Sequence, residues 1–162
     1  MIPCNLFKGK SLLLGVGSPL RSDDQAGLVL CDLLSQKGVN CVKCEYGLEN
    51  CVDVIIEEKP EKIIIFDAAL FNGGRPGDVI HLEDLDALRS VNLLTTHNIP
   101  IKLLLDVVEK FTPLREIHII GIYPKNLDVG TSISSEVLRT INSLANGIVE
   151  CFEKTKRYPH GE

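Results

Sequence analysis

The sequence predicts a single α/β domain over residues 1–162, built on a mostly parallel, twisted five-stranded sheet with helices on both faces. Strand-like segments alternate with segments of helical periodicity, which is typical of strand–helix–strand crossovers. The strand-like segments are continuously apolar, as in strands that are covered on both faces. No linker, repeat or low-complexity segment interrupts the 162 residues, a length sufficient for one substantial core.

The five predicted strands are apolar, β-branched or aromatic runs that end in turn residues. The least ambiguous is KIIIFDAA, residues 62–69. The others are SLLLGVG at 11–17, NCVKCEYG at 40–47, DVIHLE at 78–83 and EIHIIGIYP at 116–124.

Four helices are expected from apolar residues at helical spacing and from residues that begin or end helices. The first begins near Asp24 and ends at Gly38, and a short second helix ends before Pro60. A third begins near Asn98, and the closing helix covers residues 134–154.

Composition excludes several classes of function. The net charge is −5, and basic residues are scattered, so a nucleic-acid partner is not expected. No apolar run has the length needed to span a bilayer, and the apolar run near the N-terminus is too short and too interrupted by glycine for a signal peptide. The sequence therefore predicts a cytoplasmic, monomeric protein with no membrane partner.

Six cysteines are expected to remain thiols in a reducing cytosol. Cys41 and Cys44 form a CxxC pattern, but a spacing of three on a strand sends the two side chains to opposite faces. No second CxxC completes a four-thiolate site, so a structural interpretation is favoured. Cys51 is close in sequence and leaves a metal-binding or redox alternative open.

Ionisable residues follow the predicted strands at the edge where such sheets bind ligands. Asp23 and Asp24 follow the Gly-rich turn after the first strand, Asp67 closes KIIIFD, and His97 lies just before a helix. Two carboxylates and an imidazole suit a borderline divalent ion such as nickel, zinc or manganese. Such an ion would also remove the repulsion between the acids.

Each residue also has a structural explanation. Asp23 or Asp24 could cap the helix that follows, Asp67 could bond a loop amide, and His97 could be a structural turn residue. The residues alone do not choose between Asp23 and Asp24.

Motifs of other sites are incomplete or absent. GVGSPL lacks the third glycine of a dinucleotide fingerprint, and no P-loop, GxSxG or HExxH pattern occurs. His81 and His118 lie inside predicted strands and are interpreted as core or sheet-face residues.

Four blocks of the sequence resemble the hydrogenase maturation endopeptidases. These are LLLGVGSPLRSDDQAG, KIIIFDAA with the following GGRPGDV, TTHNIP, and IIGIYP, and the resemblance extends from about residue 11 to 152. It implies an α/β fold and a metal-dependent endopeptidase that removes a short C-terminal peptide from the nickel-loaded large-subunit precursor of a nickel–iron hydrogenase.

The resemblance also implies roles for individual residues. Asp24, Asp67 and His97 match the family's metal-contacting positions and are the expected catalytic residues, with nickel supplied by the precursor or bound at the site and other divalent ions possible. Glu49 is expected to contact the precursor tail.

Two positions depart from the family pattern. Ser18 replaces an asparagine, and Gln25 replaces a glycine and places a polar side chain where it could influence precursor specificity.

Two alternative functions remain open from the sequence. A non-catalytic nickel-checkpoint protein would use the same ligands without cutting the precursor. A small-molecule-binding α/β domain would use the acids as caps.

Overall fold

A computed structural model describes residues 2–83, 91–93 and 101–157. His97 and the expected start of a helix near Asn98 lie outside these residues. The described chain contains six strands, which share one sheet. They are β1 (Ser11–Gly17), β2 (Val42–Glu45), β3 (Lys62–Phe71), β4 (Val79–Leu82), β5 (Val91–Leu93) and β6 (Glu116–Ile122).

The sheet is mostly parallel, as the sequence predicts. Its order is β2-β1-β3-β6-β4, in which the first four strands run parallel and β4 is antiparallel to β6. The short strand β5 was not predicted and pairs antiparallel with the end of β3. The apolar run in β3 continues past Ala69 to Phe71, so Asp67 lies inside this strand and does not close it.

Helices cover both faces of the sheet, which confirms the predicted three-layer arrangement. One apolar cluster contains residues of helices α1 and α4, and a second contains residues of α2 and α3. The helices are α1 (Ala26–Gln36), α2 (Val52–Glu58), α3 (Ile101–Phe111) and α4 (Ser135–Arg157). Short 3₁₀ turns cover Cys4–Phe7, Ser22–Gln25 and Leu48–Cys51.

The start of α1 lies directly against the sheet because two glycines lack side chains. A Cβ atom on Gly27 would overlap the carbonyl oxygens of Phe66 in β3 and Val16 in β1. A Cβ atom on Gly17 would overlap the carbonyl oxygen of Asp24. This close approach brings the acidic turn onto the carboxyl end of β1 and against the middle of β3.

The cysteines contradict the expectation of free thiols. Cys4 pairs with Cys151, Cys31 with Cys41, and Cys44 with Cys51, so all six form disulfides. The two cysteines of the CxxC pattern lie on opposite faces, because Cys41 packs against the apolar cluster of α1 and α4 whereas Cys44 belongs to the cluster of α2 and α3. Compartment and composition could not predict this pairing, because it depends on which segments the fold brings together.

Within residues 2–83, 91–93 and 101–157, no helix combines the length and the apolar character needed to cross a bilayer.

Candidate functional site

The turn between β1 and α1 buries two adjacent carboxylates. It forms a 3₁₀ helix over Ser22–Gln25, and Ser22 has a positive φ of 52°. Asp23 and Asp24 are 0% and 1% exposed. The flanking residue before α1 is Gln25, which makes no side-chain capping hydrogen bond, and the hydrogen bonds of the Asp23 carboxylate go to residues 125–134, so Asp23 does not cap α1.

The carboxylate of Asp23 accepts hydrogen bonds from the segment 123–134, which we call the β6–α4 loop. Its Oδ2 accepts hydrogen bonds from the backbone N–H groups of Lys125 and Asn126 at 2.8 and 2.9 Å. Ser134 donates its N–H to Oδ1 at 2.8 Å and its hydroxyl to Oδ2 at 2.7 Å. Burial raises the pKa of Asp23, but these hydrogen bonds outweigh burial and hold that pKa below its ordinary value.

Other residues of the same turn also hold the β6–α4 loop. The Ser22 hydroxyl donates to the carbonyl of Asp128 at 2.7 Å, and the Gln25 amide Nε2 donates to the carbonyl of Thr131 at 2.9 Å. The Ser22 N–H donates to the Gly130 carbonyl at 2.9 Å. The acidic turn and this loop therefore form one connected wall. These partners lie more than a hundred residues apart in sequence, so no local pattern could reveal them.

Asp24 has a different environment from its neighbour. The guanidinium of Arg21 lies 3.7 Å from its Oδ2, and this arginine is partly exposed whereas the Asp24 side chain is buried. A partly exposed arginine at this distance offsets the buried negative charge weakly. Sequence reasoning did not assign Arg21 a role, although its spacing of three from Asp24 on a helical turn is a pairing signal.

Asp67 lies on β3 next to this turn. It is 2% exposed, and its Oδ1 accepts a hydrogen bond from the N–H of Ala68 at 2.8 Å. The pairing of β3 with β1 ends at Phe66, one residue earlier, and the Ser22–Gln25 turn packs against β3. The structure therefore places the turn carrying Asp24 and the strand carrying Asp67 at one rim of the sheet, as predicted.

Glu49 lies at the same rim, beyond the end of β2. The Tyr46 N–H donates to the Gly17 carbonyl at 2.8 Å, which holds this segment against the end of β1. Gly47 has φ 152° and ψ 158°, a conformation that is essentially restricted to glycine. The carboxylate of Glu49 fills the space where a Gly47 side chain would lie. The disulfide between Cys44 and Cys51 closes this turn.

Buried carboxylates at one rim are chemically suited to a divalent cation, because oxygen ligands with an imidazole match ions such as nickel and zinc. The predicted third ligand, His97, lies outside the described residues. The roles of Asp24, Asp67, His97, Glu49 and Gln25 stay predictions.

Comparison with known proteins places the chain in a family. The family model for HycI, described as a hydrogenase maturation protease, matches residues 47–151. The hydrogenase 3 maturation protease of Escherichia coli K12 is 33% identical over 117 residues, which are 70% of this chain and 72% of that protein. The chain belongs to the hydrogenase maturation protease family. It is therefore a peptidase.

Solved structures of this family share the fold. The hydrogenase maturation protease HybD of Thermococcus kodakarensis is 27% identical, with a TM-score of 0.70 over 90% of this chain and 98% of that one. HycI from the same organism superposes with a TM-score of 0.76 over 93% and 97% of the two chains, at 24% identity. The residues matched by the family model include Glu49, Asp67 and His97, and begin after Asp24.

Proposed function

We propose that this hydrogenase maturation protease removes a short C-terminal peptide from the large-subunit precursor of a nickel–iron hydrogenase after nickel insertion. The observation that carries the proposal is the burial of Asp24, in the turn after β1, and of Asp67, on β3 one residue beyond the end of its pairing with β1. Carboxylate oxygens together with an imidazole are ligands suited to a borderline divalent ion such as nickel. Nickel carried by the precursor would bind at this rim, and Asp24, Asp67 and His97 would complete its coordination.

In this proposal the protein recognises nickel as a part of its substrate. A divalent ion polarises a carbonyl or lowers the pKa of a water molecule, which is the chemistry that peptide hydrolysis requires. Asp24, Asp67 and His97 would hold the ion and so place the scissile bond at the rim. Glu49 lies at the same rim and would contact the precursor tail. The Gln25 side-chain amide donates a hydrogen bond to the β6–α4 loop and so helps to position it. Through this loop, Gln25 would influence which precursor binds.

The proposal is tested with the large-subunit precursor in nickel-loaded and nickel-free forms, followed by intact mass spectrometry. We expect loss of one C-terminal peptide from the loaded form alone. Asp24→Asn, Asp67→Asn and His97→Ala should each slow cleavage by at least about 100-fold, since each change removes a proposed ligand. The matched control is Asp53→Asn on α2, an exposed aspartate that should cleave at the wild-type rate.

The other outcomes are equally informative. Cleavage of both precursor forms would support peptidase activity on this precursor but would contradict the recognition of nickel. Stable, nickel-dependent binding without cleavage would favour the checkpoint alternative for this substrate. Full activity of Asp67→Asn would show that cleavage does not require the Asp67 carboxylate. The monomeric state and cytoplasmic location stay predictions.

A further inference from the structure

We infer that His81, Glu83 and His118 form a second metal site that takes zinc or a similar borderline divalent ion. The cluster lies where the edge strand β4 pairs with β6. One nitrogen of each histidine and one Glu83 carboxylate oxygen all lie within 4.8 Å of one another. This inference does not rest on the proposed function.

The cluster is separate from the acidic rim because it lies on the opposite face of the sheet. On β6, His118 alternates with Ile119 and shares a face with Ile120, which belongs to the apolar cluster of α1 and α4. On β3, Asp67 shares a face with Ile65, which belongs to the cluster of α2 and α3. Alternation along a strand sends successive side chains to opposite faces.

Strand pairing explains why the three side chains converge. His81 pairs with Ile120 and Leu82 with Ile119 in antiparallel register. The next step of the same register places Glu83 opposite His118. Side chains that lie opposite or diagonal on one sheet face are close enough to share a ligand.

A carboxylate orients one of the histidines as a metal ligand. Glu116 Oε2 lies 3.0 Å from His118 Nε2, and a carboxylate can only accept, so Nε2 carries the proton. His118 Nδ1 then directs its lone pair toward His81 Nε2, at 2.9 Å. Metal-ligating histidines usually donate their other ring N–H to a carboxylate or carbonyl in this way.

The charges around the cluster favour a cation. Lys62 Nζ lies 3.7 Å from Glu116 Oε2 and balances that carboxylate. Glu83 is exposed and contributes a negative charge at the entrance.

The ligand set fits zinc with little rearrangement. Two histidines and one glutamate are a known zinc set that leaves the fourth position to water. With zinc–nitrogen distances of about 2.1 Å and tetrahedral angles, the two nitrogens would lie about 3.4 Å apart. The imidazoles must therefore separate by about 0.5 Å from their present hydrogen-bonded distance. The cysteines do not compete for the ion, because all six are in disulfides.

The test uses the full chain with its disulfides intact and with Asp24→Asn, Asp67→Asn and His97→Ala combined, which removes the three candidate ligands of the acidic rim. Zinc ion is titrated into this protein against a chromophoric chelator. We expect one equivalent to bind. His81→Gln and Glu83→Gln should each weaken the affinity at least about 10-fold, and Glu116→Gln about 10- to 100-fold. Glu57→Gln, an exposed glutamate on α2, is the matched control and should bind as the parent does.

A thermal melt without zinc shows whether each variant remains folded, and a melt with excess zinc shows whether the ion stabilises it. We expect zinc to raise the melting temperature of the parent and of Glu57→Gln, but not that of His81→Gln. Absence of zinc binding in the parent would overturn the proposal. So would an affinity unchanged in both His81→Gln and Glu83→Gln, since the histidine pair would then be a structural hydrogen bond.

Discussion

The two adjacent aspartates show how neighbouring residues of one type acquire different surroundings. Asp23 accepts four hydrogen bonds from the β6–α4 loop, whereas Asp24 lies near the partly exposed Arg21 and faces a different environment. The hydrogen-bond donors of the β6–α4 loop therefore stabilise the carboxylate of Asp23. The sequence identified the pair but could not separate the two roles, because the donors to Asp23 come from the far end of the chain.

At the residue scale, we expect Asp23→Asn to destabilise the fold by about 1–3 kcal/mol, because an amide NH₂ group would face donors that now meet a carboxylate oxygen. The control is Asp32→Asn, which removes a surface ion pair with Lys43 and should cost less than about 1 kcal/mol. Urea unfolding at neutral pH measures both. Equal losses would contradict the structural role of Asp23.

The same carboxylate makes stability depend on pH. Since the pKa of Asp23 is lower in the folded protein, its contribution is complete above the unfolded value of about 3.9 and is lost as pH falls through the folded pKa. Asp23→Asn should therefore show a shallower loss of unfolding free energy below pH ~4 than the wild type.

At the scale of elements, apolar runs and turn residues predicted five strands and the two helical layers. They failed for β5, a three-residue strand whose pairing depends on the extension of β3 beyond Ala69. They also failed for the end of β3, since Asp67 interrupts an apolar run that continues to Phe71. The candidate acids were predictable because parallel strands share a carboxyl edge. The hydrogen bonds that join the acidic turn to the β6–α4 loop were not predictable, because each of them connects segments that are distant in sequence.

The contact of α1 with the sheet is the element-scale feature that positions the acidic turn. Gly27→Ala would place a methyl group against the backbone of Phe66 and Val16, so we expect a loss of about 1–3 kcal/mol. Gly147→Ala is the matched control, because this exposed glycine of α4 has open space around it. Alanine there should stabilise the helix by up to about 1 kcal/mol. Chemical denaturation of both variants gives the comparison, and a stabilising Gly27→Ala would contradict the described packing.

At the scale of the whole molecule, three disulfides connect segments that the sheet alone does not join. Cys4 and Cys151 tie the N-terminal turn to the last helix, across 147 residues. The other two disulfides close short loops of 10 and 7 residues, one of them beside the proposed substrate contact Glu49. Disulfides are typical of oxidising compartments and also occur inside hyperthermophilic cells. Stability of this protein should therefore depend on redox conditions.

Loop length decides how much each disulfide contributes, because a cross-link mainly restricts the unfolded chain. We expect the double variant Cys4→Ser/Cys151→Ser to lose about 5 kcal/mol, and Cys44→Ser/Cys51→Ser about 2.5 kcal/mol. Both variants introduce two serines, so their difference reflects loop length. Urea unfolding without reductant measures the losses, and alkylation followed by intact mass spectrometry should find no free thiol in the wild type. Six alkylated cysteines would instead restore the expectation of free thiols, and equal losses would contradict the dependence on loop length.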